Sequence, residues 1–196
     1  MAKTDRKTQI LTEATRLFSE SGYDKVTVKQ LADACGITEP ALYRHYSSKE
    51  AIYDAVLDSI SKRLNYDELF EQLGKTNDVE VLLKSIANHI LDYFSENQDV
   101  YRLLLYSALR GHTKSKQVYQ AIRGTYVRFL YTQLDRLYEM GSIINKNNEM
   151  TARCFIGMVF DCALGVTLWK GFQGKQFDPP DVIANNVPIY VRGLTS

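Results

Sequence analysis

The sequence predicts an all-α protein. Apolar residues recur at helical spacing along nearly the whole chain, and the breaks between those runs are short and polar. No stretch of useful length alternates apolar and polar residues as a half-buried strand would. The expected architecture is an N-terminal three-helix domain with a helix-turn-helix over residues 1–49. A connecting helix then leads into an antiparallel helical domain over residues 50–196.

The first expected helix runs from about Asp5 to Ser21, with Ile10, Leu11, Ala14, Leu17 and Phe18 on one stripe and Gly22 as its stop. Two short helices follow within Val26–Val56. Thr27 is suited to cap the first, because its hydroxyl can take an otherwise orphaned backbone N–H. Val28, Leu31 and Ala32 form its apolar face, and Ala32 is small enough to let a second helix approach. Gly36 can adopt the left-handed conformation that ends a helix, and Ile37 plugs the turn. Thr38 caps the next helix, expected over Thr38–Tyr46, with Pro40 in its first turn where no N–H is missed. Leu42 and Tyr46 point inward.

A helix is next expected from Ser48 to about Asn65, with Ile52, Val56 and Ile60 on one face. A polar break at Gly74–Asp78 precedes Val79–Asn97, whose apolar positions are Val79, Leu82, Leu83, Ile86, Ile90 and Phe94. Val100–Arg110 follows, then a break at Gly111–Ser115 and a long helix from about Lys116 to Met140. Gly141–Asn148 reads as a loop. Helices near Glu149–Phe172 and Pro179–Gly193 complete the chain.

The helix after Gly36 carries chemistry suited to a DNA groove. With Leu42 and Tyr46 inward, Glu39, Pro40, Ala41, Tyr43, Arg44 and His45 are left for the other surfaces. Arg44 can pair with guanine or a phosphate oxygen, Ala41 can touch a thymine methyl, and Tyr43 and His45 can donate to phosphates. Ser47 or Ser48 caps the following helix with Lys49 in its first turn, and a helix N-terminus plus a lysine makes a phosphate clamp.

Composition sets limits on this reading. The chain has 196 residues, 45% of them hydrophobic and 24% charged, which is globular and not disordered. The net charge is only +1, and residues 1–49 carry eight Lys/Arg against six Asp/Glu. Affinity for DNA must therefore come from placed contacts and duplication, not from a bulk basic field. Cys35, Cys154 and Cys162 are odd in number and form no CxxC pair, so neither a disulfide framework nor a zinc site is expected. The polar N-terminus lacks the apolar core of a signal peptide, and the run Cys154–Trp169 is too short for a bilayer and is interrupted by Asp161. A soluble cytoplasmic location is expected, with no membrane partner. Three histidines fall on separate elements, and no phosphate loop, GxSxG elbow or HExxH spacing occurs. No catalytic residue, metal or cofactor is therefore expected.

Over Thr8–Leu64, and above all in ALYRHYSSKEAIYDAV, the chain resembles the tetracycline-repressor (TetR) family of one-component transcriptional regulators. The resemblance implies a homodimer with N-terminal DNA-binding domains and C-terminal ligand-binding and dimerisation domains. Carried over by position, it implies DNA contacts at Thr27, Lys29, Thr38, Glu39, Pro40, Ala41, Tyr43, Arg44, His45 and Lys49. Glu39 is a departure, since an acid on the groove-facing surface repels phosphates, although it can accept from cytosine N4. An effector pocket would lie within about Val79–Met140, and His89, Tyr93, Arg102, Tyr106, His112, Arg123 and Tyr126 are its candidate lining. Apolar walls with a few polar anchors suit a hydrophobic or amphipathic small molecule. The apolar stripes Phe155, Met158, Val159, Cys162, Val166 and Trp169, and Val182, Val187 and Tyr190, are the candidate dimer interface. The implied function is a repressor released from a palindromic operator by its effector. The alternative is a DNA-binding regulator governed by a protein partner, or one without an effector.

Overall fold

A computed structural model describes residues 5–63, 66–144, 147–167 and 178–196. Within them lie ten helices and no strand: α1 Arg6–Ser21, α2 Val28–Ala34, α3 Glu39–Tyr43, α4 Lys49–Arg63, α5 Asp67–Leu73, α6 Val79–Glu96, α7 Gln98–Leu109, α8 Thr113–Glu139, α9 Asn148–Thr167 and α10 Pro179–Thr195. The helices form two compact units. Residues 1–64 join 99–121 in the first, and 65–98 join 122–196 in the second. The long α8 thus contributes its opening turns to one unit and the rest to the other. No helix among the described residues is long and apolar enough to cross a membrane.

In the first unit α1 packs on α4 and α2, and α2 on α3. The stripe read from α1 delivers Ile10, Ala14 and Phe18 to a core completed by Val26, Leu31, Leu42, Ile52 and Val56, all essentially inaccessible to water. Burying each large apolar side chain is worth roughly 1.5–3 kcal/mol. Tyr53 and Leu57 on α4 are as deeply buried as Ile52 and Val56, which widens the face expected for that helix.

Gly22 ends α1 at φ 80°, ψ 154°, a region essentially closed to residues with a Cβ. A Cβ there would also run into the ring of Tyr106 on α7. Gly22→Ala is therefore expected to cost about 2 kcal/mol or more, lowering the melting temperature by roughly 4–8 °C. A thermal melt followed by circular dichroism checks this.

In the second unit α6 packs against α9 and α10, and α9 against α10. Asp78 starts α6, its Oδ1 accepting from Glu80 N at 2.8 Å and Val81 N at 3.1 Å. All the apolar positions read for this helix are buried. Between the expected helix ending near Asn65 and the polar break at Gly74 lies a further helix, α5 over Asp67–Leu73. Asp67 and Glu68 sit in its first turn, where the helix dipole favours negative charge, and Gly74 follows its last residue.

Three residues expected in a dimer interface are instead core residues of this chain. Phe155, Val159 and Val187 are essentially unexposed, because α6 and α10 cover that side of α9. Phe155 meets Tyr190 edge to face, with ring centroids 5.0 Å apart. An apolar stripe on a helix does not say which neighbour covers it, and here the chain's own helices do. The outward side of α9 carries Cys154, Asp161 and Gly165, with Met158 and Cys162 half-exposed. On α10, Val182 and Tyr190 are half-exposed and Ile189 is 54% exposed. The side chain of Val166 and all of Trp169 lie outside the described residues.

Candidate nucleic-acid interface

Short-range chemistry builds the turn between α2 and α3. Thr27 Oγ1 accepts from Gln30 N at 3.2 Å, and Gln30 Oε1 accepts from Thr27 N at 2.8 Å, a reciprocal capping box. Gly36 at φ 64° reverses the chain, and the N–H of Ile37 returns to Ala32 O at 3.0 Å. Thr38 Oγ1 then accepts from Ala41 N at 3.3 Å. Of the residues that follow, α3 itself keeps only Glu39–Tyr43. Arg44 and His45 continue in a turn whose His45 N and Tyr46 N both donate to Leu42 O.

Leu42 anchors this segment in the core, and the opposite side faces solvent. Thr27, Lys29, Thr38, Glu39, Pro40, Tyr43 and Arg44 are exposed, and Ala41 and His45 are half-exposed. Tyr43 leaves 48% of its surface open, a large aromatic at a position where packing does not require one. Among the described residues, no hydrogen bond or ion pair engages Arg44 or Lys29. The arrangement is a capped helix pair whose Arg44 and Lys29 donors are exposed and uncommitted among the described residues.

Lys49 is different. Its ammonium donates to Tyr23 O at 2.9 Å and Val26 O at 3.0 Å, and sits 4.3 Å from the centre of the Tyr23 ring. It ties the start of α4 to the loop between α1 and α2. Two of its three N–H groups are therefore occupied within the chain, which the phosphate-clamp reading did not foresee. Ser48, as expected, caps α4, its Oγ accepting from Ala51 N at 3.0 Å.

The seven residues expected to line one pocket divide between the two units. Arg102, Tyr106 and His112 belong to the first unit. Arg102 is exposed. Tyr106 lies against Gly22, with the Arg110 guanidinium 4.9 Å from its ring centre. His112 caps α8: its Nδ1 accepts from Ser115 N at 3.4 Å and faces Ser115 Oγ at 3.2 Å. Its ring meets Tyr53 edge-on at 4.7 Å. Tyr53 Oη in turn donates to Ser107 Oγ at 2.5 Å and lies 2.8 Å from Ser115 Oγ. Tyr106 and His112 thus make packing and capping contacts within the first unit, contacts that their linear positions along α7 and α8 did not reveal.

His89, Tyr93, Arg123 and Tyr126 belong to the second unit. Arg123 Nη2 donates to Arg153 O at 3.2 Å, which turns it toward α9. The other three come together: His89 Nδ1 is 2.8 Å from Tyr126 Oη, and the His89 and Tyr93 rings stack at 6.5 Å. Tyr66 joins them edge-on to Tyr126 at 5.0 Å, and Phe70 stacks on Phe129 at 3.9 Å. Tyr66 and Phe70 were missed because the segment that holds them was not recognised as helical. The acidic first turn and Gly74 were the signals available.

Burial pushes the His89 imidazole below its ordinary value, against a smaller upward pull from Asp92. The folded protein therefore binds this proton less readily than the unfolded chain. Stability from His89 is full above the unfolded value near ~6.5 and is lost as pH falls from there through the lower folded value. His89→Gln removes the titration and can still bond to Tyr126. Its melting temperature is expected to fall less than the wild type's between pH 7.5 and 5, as measured by calorimetry.

An all-α chain whose capped helix-turn-helix holds one short helix outward is a helix-turn-helix protein. Its residues 10–56 match the family model for bacterial regulatory proteins of the tetR family. The nucleoid occlusion factor SlmA of Marinomonas sp. is 29% identical over 116 residues, covering 59% of this chain and 58% of that protein. The chain thus spans a little over half the length of that curated relative. Across nearly the full chain the fold is similar to the fatty acid degradation regulator FadR from Bacillus halodurans, with TM-score 0.72 and 18% identity over 99% of this chain and 98% of the other. It is also similar to AibR in complex with isovaleryl coenzyme A and operator DNA, with TM-score 0.69 and 21% identity over 94% and 97% of the two chains.

Proposed function

We propose that the protein is a DNA-binding transcriptional regulator, a homodimeric repressor that a hydrophobic or amphipathic small molecule releases from a palindromic operator. The observation that carries this reading is the outer face of the helix-turn-helix. Arg44 and Lys29 are exposed and have no described partners, Tyr43 next to Arg44 is exposed, and side-chain caps open both α2 and α3. Residues 1–49 act as the reader, and residues 50–196 carry the sensor and the dimer contacts. Arg44 and Ala41 approach base edges, while Thr27, Lys29, Thr38, Tyr43 and His45 hold phosphates. Pro40 stiffens the approach, and Glu39 discriminates by accepting from cytosine. The outward residues Met158, Cys162, Val182 and Tyr190 belong to the dimer contact, joined by Ile189. Two copies set the readers about 34–36 Å apart, or a multiple of that, on one face of the duplex.

The His89–Tyr126 cluster is the sensor site, and the AibR complex, which holds both an acyl coenzyme A and operator DNA, supports a fold that serves both tasks. A coupling of about 1–3 kcal/mol, or roughly 5–150-fold in operator affinity, suffices for release. The match to a nucleoid occlusion factor favours a second reading, in which a protein partner takes the effector's place. Selection of bound fragments from genomic DNA, followed by footprinting, tests the reader. Mass spectrometry of small molecules that copurify with the protein tests the sensor. Protection of a palindrome that disappears with the released compound is the expected result, and sequence-independent binding would overturn it.

A further inference from the structure

The aromatic cluster of the second unit has a chemical signature that narrows its ligand. Tyr66 Oη is buried and has no hydrogen-bond partner among the described residues. A buried hydroxyl without a partner carries a desolvation penalty that nothing offsets, so such a group asks for an explanation. Its ring is set between flat surfaces: stacked on Phe70 at 5.4 Å, edge-on to Tyr126 at 5.0 Å, and 6.5 Å from His89. Across from it, His89 and Tyr126 satisfy each other.

Among the described residues, no lysine or arginine is paired with a ring or hydroxyl of this cluster. The Tyr66 and Tyr126 phenols are both pushed upward, by burial first and then by neighbouring tyrosines, with no cation pulling them down. Burial pushes the His89 imidazole below its ordinary value, and the charged group that pulls against this is the carboxylate of Asp92. Arg123, an arginine of the same unit, is turned to the α9 backbone. A carboxylate or phosphate brought here would lose its hydration without gaining a counter-charge. A neutral π system loses little on entry and gains aromatic contacts with the rings around Tyr66.

Building on the small-molecule sensor reading, we propose that this site takes a neutral, planar aromatic ligand with a hydrogen-bond acceptor that receives the Tyr66 hydroxyl proton. Fatty carboxylates and acyl thioesters of anionic carriers are poorly matched to it. Affinity comes from aromatic contacts, and selectivity comes from pairing the Tyr66 hydroxyl, which has no partner among the described residues.

The test measures four probes by titration calorimetry on the full chain: 2-acetylnaphthalene, 2-ethylnaphthalene, 2-naphthoate and decanoate. The acetyl compound is expected to bind about tenfold more tightly than the ethyl compound, the effect of one hydrogen bond, and more tightly than either anion. Tyr66→Phe should erase the acetyl preference while leaving 2-ethylnaphthalene binding unchanged. The wild-type ranking is a test in its own right should that variant fold poorly. Equal binding of the acetyl and ethyl compounds, or persistence of the preference in Tyr66→Phe, overturns the proposal. Tightest binding by 2-naphthoate or decanoate overturns the ligand class but leaves the sensor reading standing. Failure of all four to bind overturns both.

Discussion

Replacing Arg44 with alanine will weaken operator binding far more than binding to a scrambled duplex. Its guanidinium is exposed, has no described partner, and follows directly on the short helix that Leu42 pins to the core. A bidentate arginine–guanine pair is worth about 1–3 kcal/mol of discrimination. In the proposed dimer on a palindrome the contact occurs twice, so the loss should be about 2–6 kcal/mol, or roughly 30-fold to 10⁴-fold. Fluorescence anisotropy at fixed salt, on operator and scrambled duplexes in parallel, measures it. Equal losses on both duplexes would reassign Arg44 to the phosphate backbone. No loss on either would remove this face from the interface altogether.

Lys49→Met should act first on stability. The side chain bonds to two backbone carbonyls and covers the Tyr23 ring, and methionine fills similar space without a donor. Hydrogen bonds to a charged group contribute about 1.5–3 kcal/mol each, and the freed carbonyls can partly recover by hydration. A net loss of about 2–3 kcal/mol is expected, which lowers the melting temperature by roughly 4–12 °C. An unchanged melting temperature would mean that the brace contributes nothing. The salt dependence of DNA binding reports separately on the phosphate role: a slope smaller by about one per subunit is the signature of a lost phosphate contact.

The difference between these two residues shows where sequence reading works. Thr27, Gly36, Thr38 and Leu42 act on neighbours within a few positions, so their caps, turn and inward anchor can be read from spacing alone. The structure reproduces each of them. Lys49 looked like a phosphate ligand because its position at a helix start is legible, but its partners Tyr23 and Val26 lie more than twenty residues away. The same holds for α5, whose short run lacks the length that makes periodicity persuasive. Tyr66 and Phe70 went unnoticed with it.

Candidate pocket residues illustrate the limit from the other side. Tyr106, His112 and Tyr126 are alike in type and near in sequence, yet the first two serve the unit of the helix-turn-helix and the third lies beside His89. On α9, Phe155 and Val159 share a helix with Met158 and Cys162, and a rotation of about 100° per residue puts the second pair only about 60° round from the first, at the half-exposed edge of the buried stripe. Local hydrogen bonding and helical period thus made the all-α class and the helix-turn-helix readable from residue order. Which apolar stripe is covered, which lysine is free and which tyrosine is left without a partner depend on long-range packing. That packing joins residues whose separation along the chain carries no signal of their contact.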